Sequence, residues 1–233
     1  MKTLGVIGGM GPAATVDFFS KLIALTKADA DQQHLPVIID SNTHIPDRSA
    51  AILHGAPSPL PELCKSARRL EQAGAELIVM TCNTAHYYFD AVQSSVSVPM
   101  LHIARETAKA ARDSGLEALA LLSTTGTLQS GVYTEAFSRE APGLRLLTPD
   151  TAGQAALMSM IYDGVKAGKR EYDVQSVADL LERLRAQGAQ SFILGCTELP
   201  LAFATSHIDG STLDPTVILA RAALRECGAP LRD

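Results

Sequence analysis

Short, nearly continuous apolar runs alternate with longer amphipathic stretches along the whole chain. Six runs read as strands: Leu4–Ile7, Pro36–Ile39, Leu77–Met80, Leu119–Leu122, Leu144–Leu147 and Phe192–Leu194. A strand with one wet face would alternate polar and apolar residues. These barely alternate, which is expected of parallel strands covered by helices on both faces. Between them apolar residues recur at helical spacings of three and four, as in Phe18/Phe19/Leu22/Ile23, Leu60/Leu63/Ala67/Leu70 and Val174/Val177/Leu181/Leu184. Gly74, Gly115 and Gly188 stand where helix-terminating glycines belong. The rhythm predicts an α/β fold with parallel sheets.

The pattern also repeats. Residues 70–82 overlie residues 184–196 without a gap, and Leu70/Leu184, Gly74/Gly188, Ala75/Ala189 and Cys82/Cys196 coincide. The first strand and its turn, Leu4–Gly11, fall in the same way on Leu119–Gly126. Two related α/β lobes follow from this, each a parallel sheet flanked by helices, with a cleft between them. The expected division is 1–98 with 208–233 for the first lobe and 99–207 for the second. The seam lies near Val98-Pro99, and the last helix, about Thr216–Cys227, packs back on the first lobe.

Composition narrows the functional classes. At 46% apolar and 19% charged residues over 233 positions, the chain is globular rather than disordered. Its net charge of −5 and its lack of a basic run argue against nucleic acid as a partner. Aromatics at 5%, with no Trp, weaken any reading built on stacked bases or sugars. No apolar window approaches the ~18 residues of a membrane span. Lys2 and Leu4–Ile7 could imitate a signal peptide, but Gly8-Gly9-Met10-Gly11-Pro12 follows at once and reads as a strand entering a turn. The four cysteines, Cys64, Cys82, Cys196 and Cys227, lack paired spacing, so a reducing cytoplasm is the expected location.

Cys64 lies on the apolar face of its helix and Cys227 near the end of the last one, and both read as packed thiols. Cys82 and Cys196 differ. Each follows directly on a buried strand, is flanked by small polar residues, and recurs at the same lobe position. Parallel sheets bind ligands at the carboxyl ends of their strands, so facing lobes would bring one thiol to each side of the cleft. Asn83-Thr84 and Thr197 follow as helix-start sequences, whose free N–H groups suit a carboxylate and favour a thiolate. Thr124-Thr125 occupies the loop of the second lobe equivalent to Gly9-Met10, which makes Thr125 a candidate for substrate contact. His86 either tunes Cys82 or satisfies a helix start, and the second reading is favoured. No Cys-x-x-Cys is present, and Cys82 with His86 is too few ligands for zinc.

The strings Val6-Ile7-Gly8-Gly9-Met10-Gly11-Pro12, Cys82-Asn83-Thr84-Ala85-His86 and Gly195-Cys196-Thr197-Glu198-Leu199-Pro200 resemble the aspartate/glutamate racemase family, and its aspartate racemase branch in particular. They stand in the family's order and span nearly the whole chain. Glutamate racemases are similar around both cysteines but carry an Asp-Ser pair where this chain has Gly8-Gly9. The resemblance implies cofactor-independent racemisation by Cys82 and Cys196 in an inter-lobe cleft, and a homodimer. It also assigns Arg48 and Lys166 to the distal carboxylate of a dicarboxylic substrate. Some members of the branch carry Thr at the first cysteine position, and decarboxylases of the wider superfamily keep one cysteine. This chain keeps both, which implies activity in both directions.

Racemisation removes the α-proton and returns it on the opposite face. Two thiols on opposite faces do this without either base moving. The expected substrate is a small amino acid, aspartate before glutamate or a broader set, with no added cofactor. Two rivals stand beside this reading. Gly9-Met10-Gly11-Pro12-Ala13-Ala14 after a strand, with Asp40 ending the next, fits an NAD(P)-dependent oxidoreductase. A non-catalytic amino-acid-binding protein would use the same cleft without turnover.

Overall fold

All six expected strands form, each within two residues of its apolar run, in a computed structural model that describes residues 1–169, 172–208 and 210–232. They are β1 (Leu4–Gly8), β2 (Val37–Ser41), β3 (Leu77–Met80), β4 (Ala118–Leu122), β5 (Arg145–Leu147) and β6 (Ser191–Leu194). A two-residue β7 (Thr212–Leu213) was not expected. The helices are α1 (Pro12–Leu25), α2 (Arg48–His54), α3 (Leu60–Gln72), α4 (Phe89–Gln93), α5 (Ile103–Asp113), α6 (Thr125–Gln129), α7 (Val132–Glu140), α8 (Thr151–Ser159), α9 (Val174–Ala186), α10 (Leu199–Thr205) and α11 (Pro215–Glu226). A 3₁₀ turn covers Thr84–Tyr88, and a π-helical segment, Met160–Lys166, continues α8.

The strands divide into two parallel sheets, ordered β2-β1-β3 and β5-β4-β6-β7. The repeat is therefore topological as well as sequential. β1, β2 and β3 correspond to β4, β5 and β6, and Cys82 and Cys196 follow equivalent strands. The helices before β3 and β6 end alike: Gly74 and Gly188 adopt φ of +95° and +100°, in the left-handed region that a Cβ disfavours.

Successive side chains of the central strands point to opposite faces, and each face meets its own helices. Leu4, Val6, Leu77 and Val79 pack against Phe18 and Leu22 of α1 and Leu219, Ala220 and Leu224 of α11. Ile7, Ile78 and Met80 face Leu63, Ala67 and Leu70 of α3. In the second sheet Ala120, Leu122, Phe192 and Leu194 meet Leu157, Val177, Leu181 and Leu184, while Leu119, Leu121 and Ile193 meet Ala104, Ala108, Tyr133 and Phe137. Burial on both faces is the physical reason the runs lack polar alternation.

On α1, Phe18 and Leu22 are buried as the spacing predicts, but Phe19 and Ile23 stay 37% and 46% exposed, beside the open edge of β2. The last helix does return to the first sheet. Asp214 caps α11 by accepting from the backbone N–H of Thr216, and Lys21 of α1 bonds both Asp214 and the Thr216 hydroxyl. The lobe limits 1–98 with 208–233 and 99–207 remain a proposal with two refinements. Met100 bridges to Ile78 beside β3, two residues beyond the proposed seam. β7 pairs with β6, so the return to the first sheet comes after Leu213.

Candidate active site

The two cysteines are set by the ends of β3 and β6. Beyond Met80, the backbone N–H of Thr81 still donates to Ile7, and the chain then turns at Cys82 and Asn83 into the 3₁₀ turn. Beyond Leu194, Gly195 donates to Leu122 at 2.7 Å, and the Cys196 carbonyl accepts from Leu199 as α10 begins. Both cysteines are buried and both line one cavity where the two sheets' loops converge. His86 stabilises the first turn. One ring nitrogen, Nδ1, donates to the Cys82 carbonyl at 2.8 Å, and Nε2 accepts from the backbone N–H of Ile103 at 3.1 Å. Burial holds the ring neutral, with a pKa pushed down to about 4. Those two bonds tie the Cys82 turn to the start of α5.

Loops from both lobes complete the cavity. Asp47 caps α2 by accepting from Ala50 N–H, which brings Arg48 and Ser49 over the site. Arg48 is 7% exposed, and most of its guanidinium is committed: Nη1 donates to the Ile45 and Pro46 carbonyls and Nη2 to that of Met10. Its Nε is buried without a partner, and so is Nδ2 of Asn83. Both polar atoms belong to residues that line the cavity. From the second lobe come Tyr162 and Lys166 on the π-helical segment, Thr124, Thr197 and Glu198. The lobes meet through Tyr162 O–H donating to Asp47 at 3.2 Å, Ser49 donating to Thr124, and the hydroxyls of Thr84, Thr124 and Thr127 bonding one another.

The charges around the two thiols differ. The Cys196 thiol donates to Glu198 Oε2 at 3.1 Å, the Thr197 hydroxyl donates to the same oxygen, and Oε1 faces Lys166 Nζ at 3.6 Å. Burial and then the Glu198 carboxylate push the Cys196 thiol well above its usual range, more than Lys166 offsets. On the other side, burial opposes the charge of Arg48, yet Cys82 and Asp47 outweigh it and raise its pKa. Lys166 follows the same pattern: burial lowers its pKa, while Glu198 and the two cysteines raise it further. Both cations are fully charged at neutral pH.

The space between these side chains is about 260 Å³ including its opening to solvent, and only about 10 Å³ admits the centre of a water molecule. That is room for roughly one water. Larger hollows lie elsewhere, such as the one beside Arg112, Pro142 and Arg145, but the thiols and the buried orphan donors converge only here among the described pockets.

Seven of the eight sequence candidates line this cavity: Cys82, Cys196, Arg48, Asn83, Thr84, Lys166 and Thr197. Thr125 does not. Its backbone N–H donates to Met158 Sδ and its hydroxyl accepts from Gln154, so it turns towards α8 while Thr124 faces the cavity. The helix starting at Thr125 is capped by the Thr124 side chain, and that fixes which of the pair looks inward. Sequence reasoning passed over Met10, Asp47, Ser49, Tyr162 and Glu198. Glu198, two residues beyond Cys196 and buried, carried the clearest signal. Cys64 and Cys227 lie outside the cavity, and among the described residues no cluster of three His, Cys, Asp or Glu is placed to hold a metal.

The glycine-rich turn after β1 is filled by the chain itself, since a Cβ on Gly9 would meet the Asn42 backbone within 2.7 Å. The chain is 26% identical to the broad specificity amino-acid racemase RacX of Bacillus subtilis (strain 168), over 95% of this chain and 96% of that protein. Its structure is similar to Picrophilus torridus aspartate racemase, with a TM-score of 0.84 and 30% identity over 100% of this chain and 96% of the other. An aspartate racemase homologue from Pyrococcus horikoshii OT3 superposes with a TM-score of 0.78 and 27% identity, over 98% and 100% of the two chains. Residues 7–223 match the family described as Asp/Glu/Hydantoin racemase, and the chain belongs to that family.

Proposed function

We propose that the chain interconverts L- and D-aspartate by two-base chemistry, with Cys82 and Cys196 acting on opposite faces of the α-carbon. The observation that carries this reading is the pair of buried thiols, one following each sheet's strand, lining a single cavity with two cations. The proton begins on Cys196, where burial and Glu198 hold it. The Cys82 thiolate takes the α-proton as the C–H bond breaks and an S–H bond forms, and Arg48 lies beside it. The electron pair left on the α-carbon spreads into the substrate carboxylate. Cys196 then delivers its S–H proton to the opposite face and becomes the thiolate. Lys166 balances the new charge, and the reverse reaction starts from that state.

The orphan donors Arg48 Nε and Asn83 Nδ2 suit substrate carboxylate oxygens, because a buried donor without a partner gains most from an anion. Lys166 is the mobile cation for the distal carboxylate, since its partner Glu198 stands at 3.6 Å. Arg48 keeps Nε–H and one Nη2–H for a ligand, its other three N–H groups being held by carbonyls. The same reading takes the protein as a cytoplasmic homodimer that works without an added cofactor. Sedimentation and assays on exhaustively dialysed enzyme check the latter two points.

The test is racemisation in heavy water. L-aspartate should yield D-aspartate labelled at the α-carbon, while the remaining L-aspartate stays largely unlabelled early on. Cys82→Ala and Cys196→Ala should each abolish interconversion. Labelling of both enantiomers from the start, or turnover in either variant, overturns the mechanism. A panel of L-amino acids resolved by chiral chromatography ranks the substrates.

A further inference from the structure

Tyr133 lies on α7, 1% exposed among Ala104, Ala108 and Phe137, and outside the cavity lining. Its hydroxyl donates to Asn83 Oδ1 at 2.6 Å across the junction between the two sheets' loops. The other end of the same carboxamide, Nδ2, is buried with no partner, on a residue that lines the cavity.

A carboxamide has two nearly isosteric orientations, and the hydrogen-bond network decides between them. In one, Asn83 shows an amide donor to the substrate. In the other it shows a carbonyl oxygen, which would repel a carboxylate. Burial keeps the Tyr133 phenol protonated, so its one O–H is there to donate, and the short 2.6 Å contact gives that proton to Oδ1. We infer that Tyr133 is a positioning residue: its hydroxyl fixes Oδ1 of Asn83 outward and thereby turns Nδ2 into the cavity as a donor to the substrate carboxylate. This rests on the racemase reading above and extends it to a residue that never meets the substrate.

The chemistry gives the orientation a kinetic meaning. As the α-proton leaves, negative charge grows on the substrate carboxylate, so a donor aimed there gains strength in the transition state. Removing one such donor from an active site costs about 10²–10³ in kcat. Losing its orientation while the amide stays in place should cost less, about 10-fold to 100-fold. Thr84 cannot take over the role, because its hydroxyl is bound to Thr124 and Thr127.

The test is a double-mutant cycle read in kcat and KM on the enzyme's best amino acid, together with a readout that needs no turnover. Tyr133→Phe should lower kcat about 10-fold to 100-fold with a smaller change in KM. On the Asn83→Ala background it should lower kcat by less than twofold, because Tyr133 acts through Asn83. A merely structural tyrosine would give the same loss on both backgrounds, which would overturn the inference. Independently, the side-chain amide pair of Asn83, assigned by its disappearance in Asn83→Ala, should shift and broaden in the NMR spectrum of ¹⁵N-labelled Tyr133→Phe. An unchanged pair also overturns it. If the wild type racemises nothing while the amide pair responds as expected, the racemase reading fails and the orientation stands.

Discussion

Arg48→Lys separates two jobs that one guanidinium performs. The arginine donates to three carbonyls, those of Pro46 and Met10 at 3.0 Å and that of Ile45 at 3.3 Å, and leaves Nε–H and one Nη2–H for a ligand. A lysine ammonium keeps the charge but reaches one of these carbonyls at best, so about two charge-assisted bonds are lost. Each contributes about 1.5–3 kcal/mol, and at the low end the variant loses about 3 kcal/mol. For a chain of this length 1 kcal/mol moves Tm by about 2–4 °C, which gives a fall of about 6–12 °C. Thermal melts followed by circular dichroism, run beside chiral assays with aspartate, read stability and turnover separately. Were Arg48 only a carboxylate ligand, Tm would stay within about 1 °C of wild type while KM rose. That outcome would refute its role as a strut between the Met10 turn and α2.

Four further expectations follow from the same geometry. Glu198→Gln removes the carboxylate that holds the Cys196 proton while Lys166 stays, so the pH–rate limb belonging to Cys196 should move to lower pH; an unmoved limb counts against the pairing. Lys166→Met should reduce kcat/KM for aspartate about tenfold to a hundredfold, with a smaller loss for alanine, since a charge-assisted bond to the distal carboxylate contributes about 1.5–3 kcal/mol. His86 titrates lower in the folded than in the unfolded chain, so its contribution is complete above the unfolded pKa of about 6.5 and is lost as pH falls towards about 4; the stability difference between wild type and His86→Gln in urea melts should shrink by about 3 kcal/mol across that window, the loss left in the variant belonging to groups such as His102, which burial also holds low. Leu224→Ala, at 0% exposure beneath the first sheet, should cost about 2–5 kcal/mol in urea unfolding, and a cost below about 1 kcal/mol would mean α11 is not firmly docked.

The strands were legible because burial on both faces leaves an unbroken apolar run, as Leu77–Met80 illustrates. Cys82 and Cys196 were legible because the fold is duplicated, and duplication places equivalent residues at equivalent strand ends. β7 left no trace, since two residues pairing with β6 need no pattern of their own. Phe19 and Ile23 share the spacing of Phe18 and Leu22, but periodicity cannot say where a helix overhangs an open sheet edge. Asp47, Ser49 and Tyr162 reach the cavity only because α2 and the π-helical segment meet across the lobes, a contact between distant parts of the chain. Tyr133 was hidden for the same reason. Its neighbours Val132 and Ala136 mark it as a core residue, and only the Asn83 bond gives it a second meaning.

The return of α11 sets the order in which the molecule can be completed during synthesis. One face of the first sheet, with Leu4, Val6, Leu77 and Val79, is roofed partly by Leu219, Ala220, Ala223 and Leu224, which the ribosome makes only after every strand of both sheets. The second sheet has all its strands by Leu213. A nascent chain therefore holds an older half with apolar strands uncovered beside a younger half that can already close. A strap beyond α11 adds to the closure: Lys2 N–H donates to the Cys227 carbonyl, Lys27 to that of Pro230, and Arg232 to that of Leu25. A chain stalled or cut before residue 215 would keep both thiols and every strand, yet leave the face under β1 and β3 open to chaperones, proteases and other unfinished copies.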